Sequence, residues 1–95
     1  MLSFMSPLNV MLHVAERAKD RRLTQNLSRK TLADKSGVTE ASIKRFESTG
    51  EVSFVSLLKI SNVLGCMEYF EEAFAPNEIV SLEEVIKKHR ERGRG

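Results

Sequence analysis

Two adjacent basic residues, Lys44 and Arg45, lie in a stretch whose spacing predicts a short helix with one exposed face. Ala41, Lys44, Arg45 and Ser48 fall at positions i, i+3, i+4 and i+7, which share one side of a helix. In the DNA major groove an arginine can donate two hydrogen bonds to O6 and N7 of guanine, and a small residue can contact the methyl group of thymine. We therefore expect Arg45 to recognise guanine and Ala41 to contact thymine. Lys44 either recognises guanine or binds phosphate.

The first turn of the same predicted helix supplies further candidate contacts. Thr39 is a natural helix cap, and both Thr39 and Ser42 are expected to lie at phosphates. Glu40 leaves two interpretations open. Phosphates repel its carboxylate, so it either accepts a hydrogen bond from N4 of a cytosine or is simply exposed to solvent.

A tight turn between two short helices is predicted to position this exposed face. Ser28 caps the first helix, and Gly37 ends it because glycine adopts a left-handed backbone without steric cost. Val38 fills the turn. Ile43 and Phe46, three residues apart, point inward from the second helix.

The stretch LADKSGVTEASIKRFE resembles the helix-turn-helix of the Cro/C1-type repressors, also called the XRE family. The matching positions are a Leu-Ala pair, a Gly-Val pair, a hydroxyl cap, an apolar position and an apolar-Glu pair: Leu32, Ala33, Gly37, Val38, Thr39, Ile43, Phe46 and Glu47. The resemblance continues through LLKISNVLG, which is similar to the helix and glycine that follow in that family. It implies an all-α, five-helix repressor-like domain over residues 6–75. A short basic C-terminal segment, partly helical or disordered, is predicted over residues 76–95.

The link before the motif departs from the commonest pattern of that family. The pair Thr24-Gln25 comes earlier than in most relatives. Arg29 therefore occupies the position at which relatives have a glutamine that often binds phosphate. Gln25 is an alternative cap for the helix that follows. The resemblance implies that Arg29 binds phosphate and that Glu47 pairs with a basic group of the first helix, for which Lys19 and Arg22 are candidates. The predicted DNA contacts are accordingly Ser28, Arg29, Thr39, Glu40, Ala41, Ser42, Lys44 and Arg45.

Helical spacing predicts the remaining elements. A first helix opens at Pro7 and runs to about Asp20, with an inward stripe of Leu8, Met11, Leu12, Ala15 and Ala18. Residues 48–52 are predicted as a turn. Ser53 then caps a fourth helix ending at Gly65, with an inward stripe of Phe54, Leu57, Leu58, Ser61 and Leu64. A fifth helix from Met67 to Ala73 has an apolar side and an acidic side, and it is the candidate for part of a dimer interface.

Charge is distributed unevenly along the chain. Residues 1–50 hold nine Lys/Arg against five Asp/Glu, a net +4, residues 51–80 hold one against five, a net −4, and residues 81–95 hold five against three, a net +2. This distribution fits a nucleic-acid face and a separate partner face, and an ordinary mixed surface is an equal alternative.

Composition and motifs argue against several other classes of protein. The sequence shows no base–nucleophile pair, metal-ligand cluster or phosphate-binding glycine loop. We therefore expect that the protein is not an enzyme and that it binds no cofactor or metal. The single cysteine, Cys66, excludes an internal disulfide, and its apolar neighbours predict a buried side chain. The N-terminal residues have neither a basic signal region nor a long apolar run, which favours the cytoplasm and no membrane partner. Met1 and Met5 are both plausible starts.

The segment after Pro76 leaves the function open between two hypotheses. It contains a capping-box pattern at Ser81 and Glu84 and ends in arginines and glycines, which is similar to tails of XRE proteins encoded beside HipA-like kinases. A solvated tail is the alternative. The first hypothesis is a repressor that binds a palindromic operator as a homodimer, autoregulates its operon and serves as a HipB-like antitoxin. The second is an interaction subunit that mainly docks and neutralises a HipA-like kinase toxin.

Overall fold

The computed structural model describes residues 5–76 of the 95-residue chain. That part of the chain contains five helices and no strand: α1 (Pro7–Thr24), α2 (Arg29–Ser36), α3 (Glu40–Thr49), α4 (Phe54–Leu64) and α5 (Met67–Glu71). The all-α, five-helix prediction is therefore confirmed. The predicted C-terminal segment lies outside the described residues from residue 77 onward, so the division of the chain at residue 76 stays a prediction.

Each of the first four helices begins at a hydroxyl side chain that accepts a hydrogen bond from the backbone N–H three residues later. The donor-acceptor distances are 3.0–3.1 Å, and the caps are Ser6, Ser28, Thr39 and Ser53. This bond satisfies one of the N–H groups that a helix leaves unpaired at its start. The predicted caps at Ser28, Thr39 and Ser53 are confirmed, and Pro7 opens α1 as expected.

Glycines in the left-handed conformation end α2, α3 and α4, at Gly37, Gly50 and Gly65. The prediction that the turn after α3 starts at Ser48 is wrong, because α3 continues to Thr49. The Ser48 and Thr49 hydroxyls each donate to the backbone carbonyl four residues earlier across 2.8 Å, and the helix ends at Gly50.

The core lies where α3 packs on α1 and α2, and α4 packs on the same two helices. Its buried apolar residues are Ala15, Leu32, Val38, Ile43, Phe46, Ile60, Leu64 and Cys66. Ile43 and Phe46 are 0% and 2% exposed, so the predicted inward face of α3 is confirmed. Cys66 is a free, buried cysteine, as its neighbours predicted.

The buried face of α1 differs from the predicted one. Leu8, Met11 and Leu12 are exposed, whereas Ala15 is buried and Val14 and Ala18 pack against the core. The helix carries apolar residues around much of its N-terminal half, and the neighbouring helices cover only one side of them. The predicted inward stripe is therefore confirmed at Ala15 and Ala18 and wrong at the three N-terminal positions, because periodicity marks every apolar stripe alike.

The ends of three helices also correct the sequence prediction. α1 continues past Asp20 to Thr24, and Asn26 follows it with a left-handed φ of 58°. Phe54, predicted to be buried, is exposed at the first position of α4, where its ring meets Phe70 edge-on. Ile60, which is not part of the predicted inward stripe of α4, is buried. α5 ends at Glu71, before the predicted Ala73.

Candidate nucleic-acid interface

The solvent-facing side of α3, called here the recognition face, carries Ala41, Lys44, Arg45 and Ser48, all exposed. Their exposure follows from the burial of Ile43 on the opposite side of the helix. The structure therefore brings the predicted base-contacting residues together on one accessible surface. The DNA major groove is wide enough to admit a short exposed helix of this kind.

Thr39 and Ser42 form a closed cap at the start of α3. Thr39 Oγ1 accepts a hydrogen bond from the Ser42 backbone N–H across 3.1 Å and donates to Ser42 Oγ across 2.8 Å. A hydroxyl has one proton to donate, so the cap uses the proton of Thr39 and leaves that of Ser42 available for a phosphate oxygen. Glu40 and Ala41 are exposed beside this cap.

Ser28 has a more restricted geometry than the other predicted contacts. Its hydroxyl accepts from the Thr31 backbone N–H and donates to Thr31 Oγ1, both across 3.0 Å. In this arrangement its single proton stays within the cap of α2. A phosphate contact from Ser28 would require that proton to turn away from Thr31.

Arg29 takes part in a buried charge cluster centred on Glu47. Arg22 donates from Nε to Glu47 Oε2 across 2.7 Å and from Nη2 to Oε1 across 3.1 Å, and Arg29 Nε donates to Oε1 across 2.9 Å. Arg22 Nη1 also donates to the carbonyl of Leu27 across 2.9 Å. Of the two basic candidates on the first helix, Arg22 is thus the partner of Glu47. The cluster joins α1, α2 and α3.

The charge cluster determines the ionisation of Glu47. Burial raises the pKa of the Glu47 carboxyl, but the hydrogen bonds and positive charges of Arg22 and Arg29 outweigh burial and hold the pKa below its ordinary value. Glu47 therefore stays ionised at neutral pH. Because it lies on the same helix as the recognition face, its two arginines fix the position of that helix.

Arg45, the strongest candidate for base recognition, forms an ion pair with Glu51 just after α3. Arg45 Nε donates to Glu51 Oε1 across 3.2 Å, and Arg45 Nη2 donates to the same oxygen. Both side chains remain largely exposed to solvent. Sequence spacing places Glu51 in a turn but does not predict its contact with Arg45. That contact depends on the left-handed backbone of Gly50, which brings Glu51 back toward α3.

Gln25 has a structural role that its position in the sequence did not identify. It is the C-cap of α1, and its side-chain Nε2 donates to the carbonyl of Leu64 at the end of α4 across 2.9 Å. The sequence offers Gln25 as an alternative cap for the start of α2, but Ser28 caps that helix, and Gln25 instead lies at the end of α1 and contacts the end of α4.

Comparison with known families identifies the architecture around these residues. The helix-turn-helix family matches residues 19–67, which are 49 of the 95 residues of the chain. The chain belongs to the helix-turn-helix family. The match supports an XRE-type, DNA-binding transcriptional regulator. No curated protein matches the chain, and no solved structure does.

The helix-turn-helix match runs from the second half of α1 to the start of α5, so it includes the charge cluster, the recognition face and Glu51. It is a family of DNA-binding domains rather than of enzymes. Within residues 5–76 no group of His, Cys, Asp and Glu side chains is arranged to hold a metal ion. None of the described helices is long and apolar enough to cross a membrane.

Proposed function

We propose that this helix-turn-helix protein is a sequence-specific repressor that inserts α3 into the DNA major groove. The observation that carries the proposal is the pair of exposed basic residues, Lys44 and Arg45, on a helix whose opposite side is anchored by buried Phe46 and ionised Glu47. A helix held on one side by packing and charge presents its other side in a defined orientation, which base recognition requires.

The proposed contacts divide into base recognition and phosphate binding. Arg45 donates to O6 and N7 of guanine, Lys44 recognises guanine or binds phosphate, and Ala41 contacts a thymine methyl. Thr39 and Ser42 lie at a phosphate at the start of α3. Glu40 either accepts a hydrogen bond from N4 of a cytosine or remains exposed to solvent.

Arg29 can hold Glu47 and bind a phosphate at the same time. Its side chain is 34% exposed, and the Glu47 contact uses its Nε. The Nη groups have no partner among the described residues, and a guanidinium can donate from these groups to a phosphate oxygen. The charge cluster is compatible with the phosphate role proposed for Arg29.

We propose further that the protein binds a palindromic operator as a homodimer. Several apolar side chains on α4, on α5 and after α5 are exposed, and self-association would cover such residues: Phe54, Val55, Met67, Tyr69 and Phe74. A two-fold dimer places its two recognition helices about 34 Å apart, at half-sites one helical turn from each other. Occupying a promoter in this way excludes RNA polymerase, and a site upstream of its own gene makes the repression autoregulatory.

In vitro selection from a pool of random duplexes tests the proposal and identifies the operator in the same experiment. We expect a two-fold symmetric sequence to be enriched. Fluorescence anisotropy should then show that it binds about 10³-fold or more tightly than a scrambled duplex at physiological salt. Recovery of no preferred sequence, with weak binding only at low salt, would indicate electrostatic attraction alone and would refute a sequence-specific repressor.

Sedimentation equilibrium tests the dimer separately. We expect the wild-type protein to self-associate and the variant Met67→Ser to shift toward the monomer. Leu23→Ser is the control, because Leu23 is an exposed apolar residue on α1 that lies beside Asp20 and Glu47. Equal dimerisation of all three proteins would place the interface elsewhere.

A second candidate function is that of a HipB-like antitoxin that docks and neutralises a HipA-like kinase. The observation in its favour is the group of exposed acidic side chains on and just after α5, Glu68, Glu71 and Glu72. An antitoxin of this kind can also repress its own operon, so the two functions are compatible. Co-expression with a kinase encoded by the adjacent gene tests it: co-purification and loss of kinase toxicity are expected, and independent elution with unchanged toxicity would refute it.

A further inference from the structure

The turn after α3 holds the backbone of Glu51 in a defined place. Thr49 Oγ1 donates to the carbonyl of Arg45 across 2.8 Å and accepts from the backbone N–H of Glu51 across 3.1 Å. Gly50, between them, is buried and left-handed, and it lies so close to Met11 of α1 that a Cβ on it would be 2.9 Å from Met11 Cβ. The backbone at Glu51 is therefore tied both to the recognition helix and to the body of the domain.

The contact with Glu51 leaves a particular edge of the Arg45 guanidinium free. A guanidinium has five N–H groups, arranged on a side edge, which includes Nε, and an end edge formed by the two Nη atoms. Glu51 Oε1 accepts from Nε and Nη2, which together make the side edge. The end edge, with its two parallel donors, remains available, and this is a geometry that matches O6 and N7 of guanine.

From this arrangement we propose that Glu51 is a positioning residue that determines base specificity by holding the end edge of Arg45 toward the groove. The inference rests on the proposed DNA-binding function and extends it to a residue outside the recognition face. An arginine without such a partner can rotate toward a phosphate or toward a different base. One that is already oriented loses less conformational freedom on binding guanine.

The negative charge of Glu51 adds a second effect in the same direction. A carboxylate beside the recognition face repels phosphates, so it weakens the sequence-independent part of DNA binding. The pair is solvent-exposed, at 67% for the Arg45 side chain and 56% for that of Glu51, and contacts of this kind contribute little to folding stability. Its contribution is therefore expected in DNA binding rather than in folding, and variants of Glu51 should fold normally.

Binding measurements on two variants separate orientation from charge. The duplexes are the sequence enriched by selection, the same site with the Arg45 guanine replaced by each other base, and a scrambled control. We expect the wild-type protein to prefer guanine at that position by about 10-fold to 100-fold. Glu51→Ala should reduce this preference to about 3-fold or less and strengthen binding to scrambled DNA. Glu51→Gln removes the same charge but keeps an acceptor for Arg45, so it should retain an intermediate preference for guanine.

Two further variants make the experiment specific to the Arg45–Glu51 contact. In the Arg45→Ala background, replacing Glu51 by Ala should leave base preference at that position unchanged, because no guanidinium remains to be oriented. Asp34→Asn removes an exposed negative charge from α2 and should leave the guanine preference intact. Circular dichroism should show the same helical content in every variant.

The possible failures are distinguishable. A guanine preference that is unchanged or increased in Glu51→Ala would overturn the positioning role while leaving the repressor proposal intact. A Glu51→Gln variant that matches Glu51→Ala in every measurement would reduce the role of Glu51 to its charge and overturn it as well. A wild-type protein without any sequence preference would overturn both proposals.

Discussion

Arg22 Nε lies 2.7 Å from Glu47 Oε2, and this contact joins the end of α1 to the recognition helix. Both side chains are almost fully buried, at 6% and 4% exposed. Removing either partner of a buried ion pair leaves the other as an uncompensated charge, which is far more costly than losing an exposed pair. The orientation of the recognition helix therefore depends on a buried charge cluster that joins α1, α2 and α3.

Glu47→Ala is expected to destabilise the domain by about 3 kcal/mol, because it leaves Arg22 buried without its carboxylate. Urea denaturation followed by circular dichroism measures this free energy of unfolding. Glu40→Ala, an exposed glutamate seven positions earlier on the same helix, is the control and should change stability by about 0.5 kcal/mol or less. Equal effects of the two substitutions would contradict the structural role of the cluster.

The stability contributed by Glu47 should disappear in acid. Its pKa is lower in the folded protein than the ordinary value of 4.5, so the unfolded chain takes up the proton first as pH falls. The contribution is thus complete above the ordinary pKa and is lost as pH falls through the lower, folded pKa. We expect the difference in unfolding free energy between wild type and Glu47→Gln to shrink between about pH 6 and pH 3 at constant ionic strength. A difference that stays constant over that range would show that ionised Glu47 does not stabilise the fold.

Gly50→Ala should destabilise the domain more than Gly37→Ala. Both glycines are left-handed, with φ of 81° and 80°, so an alanine at either costs about 1 kcal/mol of backbone strain. A Cβ at Gly50 would also lie 2.9 Å from Met11 Cβ and 3.0 Å from the Met11 backbone carbon, whereas at Gly37 it would meet nothing within 4 Å. The added clash should raise the cost at Gly50 to about 3 kcal/mol.

Thermal and urea denaturation of the two glycine variants test this comparison. Gly50→Ala should also weaken DNA binding, since relieving the clash moves the end of α3 away from α1. Equal stability losses would indicate that the backbone strain alone accounts for both.

Arg45→Ala should remove about 1–3 kcal/mol of the preference for guanine at one operator position. Binding to the selected site and to its single-base variants measures that preference. Lys59→Ala removes an exposed positive charge from α4, so it is expected to lower affinity at most slightly and equally for all sequences. A uniform loss of affinity in Arg45→Ala would instead assign Arg45 to a phosphate.

Local features of this fold were predictable because each depends on a few neighbouring residues. A hydroxyl at Ser28 or Thr39 can reach an unpaired N–H of its own first turn, and Gly37 adopts the left-handed backbone that ends α2. The inward direction of Ile43 and Phe46 follows from helical spacing alone. These interactions act within about one helical turn, so the sequence by itself determined the two helices, the turn and the exposed basic face.

Only the tertiary structure decided which of several equivalent residues would be used. Lys19 and Arg22 are both basic residues of α1, and the way α1 crosses α3 selects Arg22 as the partner of Glu47. Likewise, the contact between Arg45 and Glu51 exists because Gly50 turns the chain against α1. Spacing along a chain marks candidate faces and charges. The choice among them depends on how the helices pack, and that packing is the joint result of contacts between residues far apart in sequence.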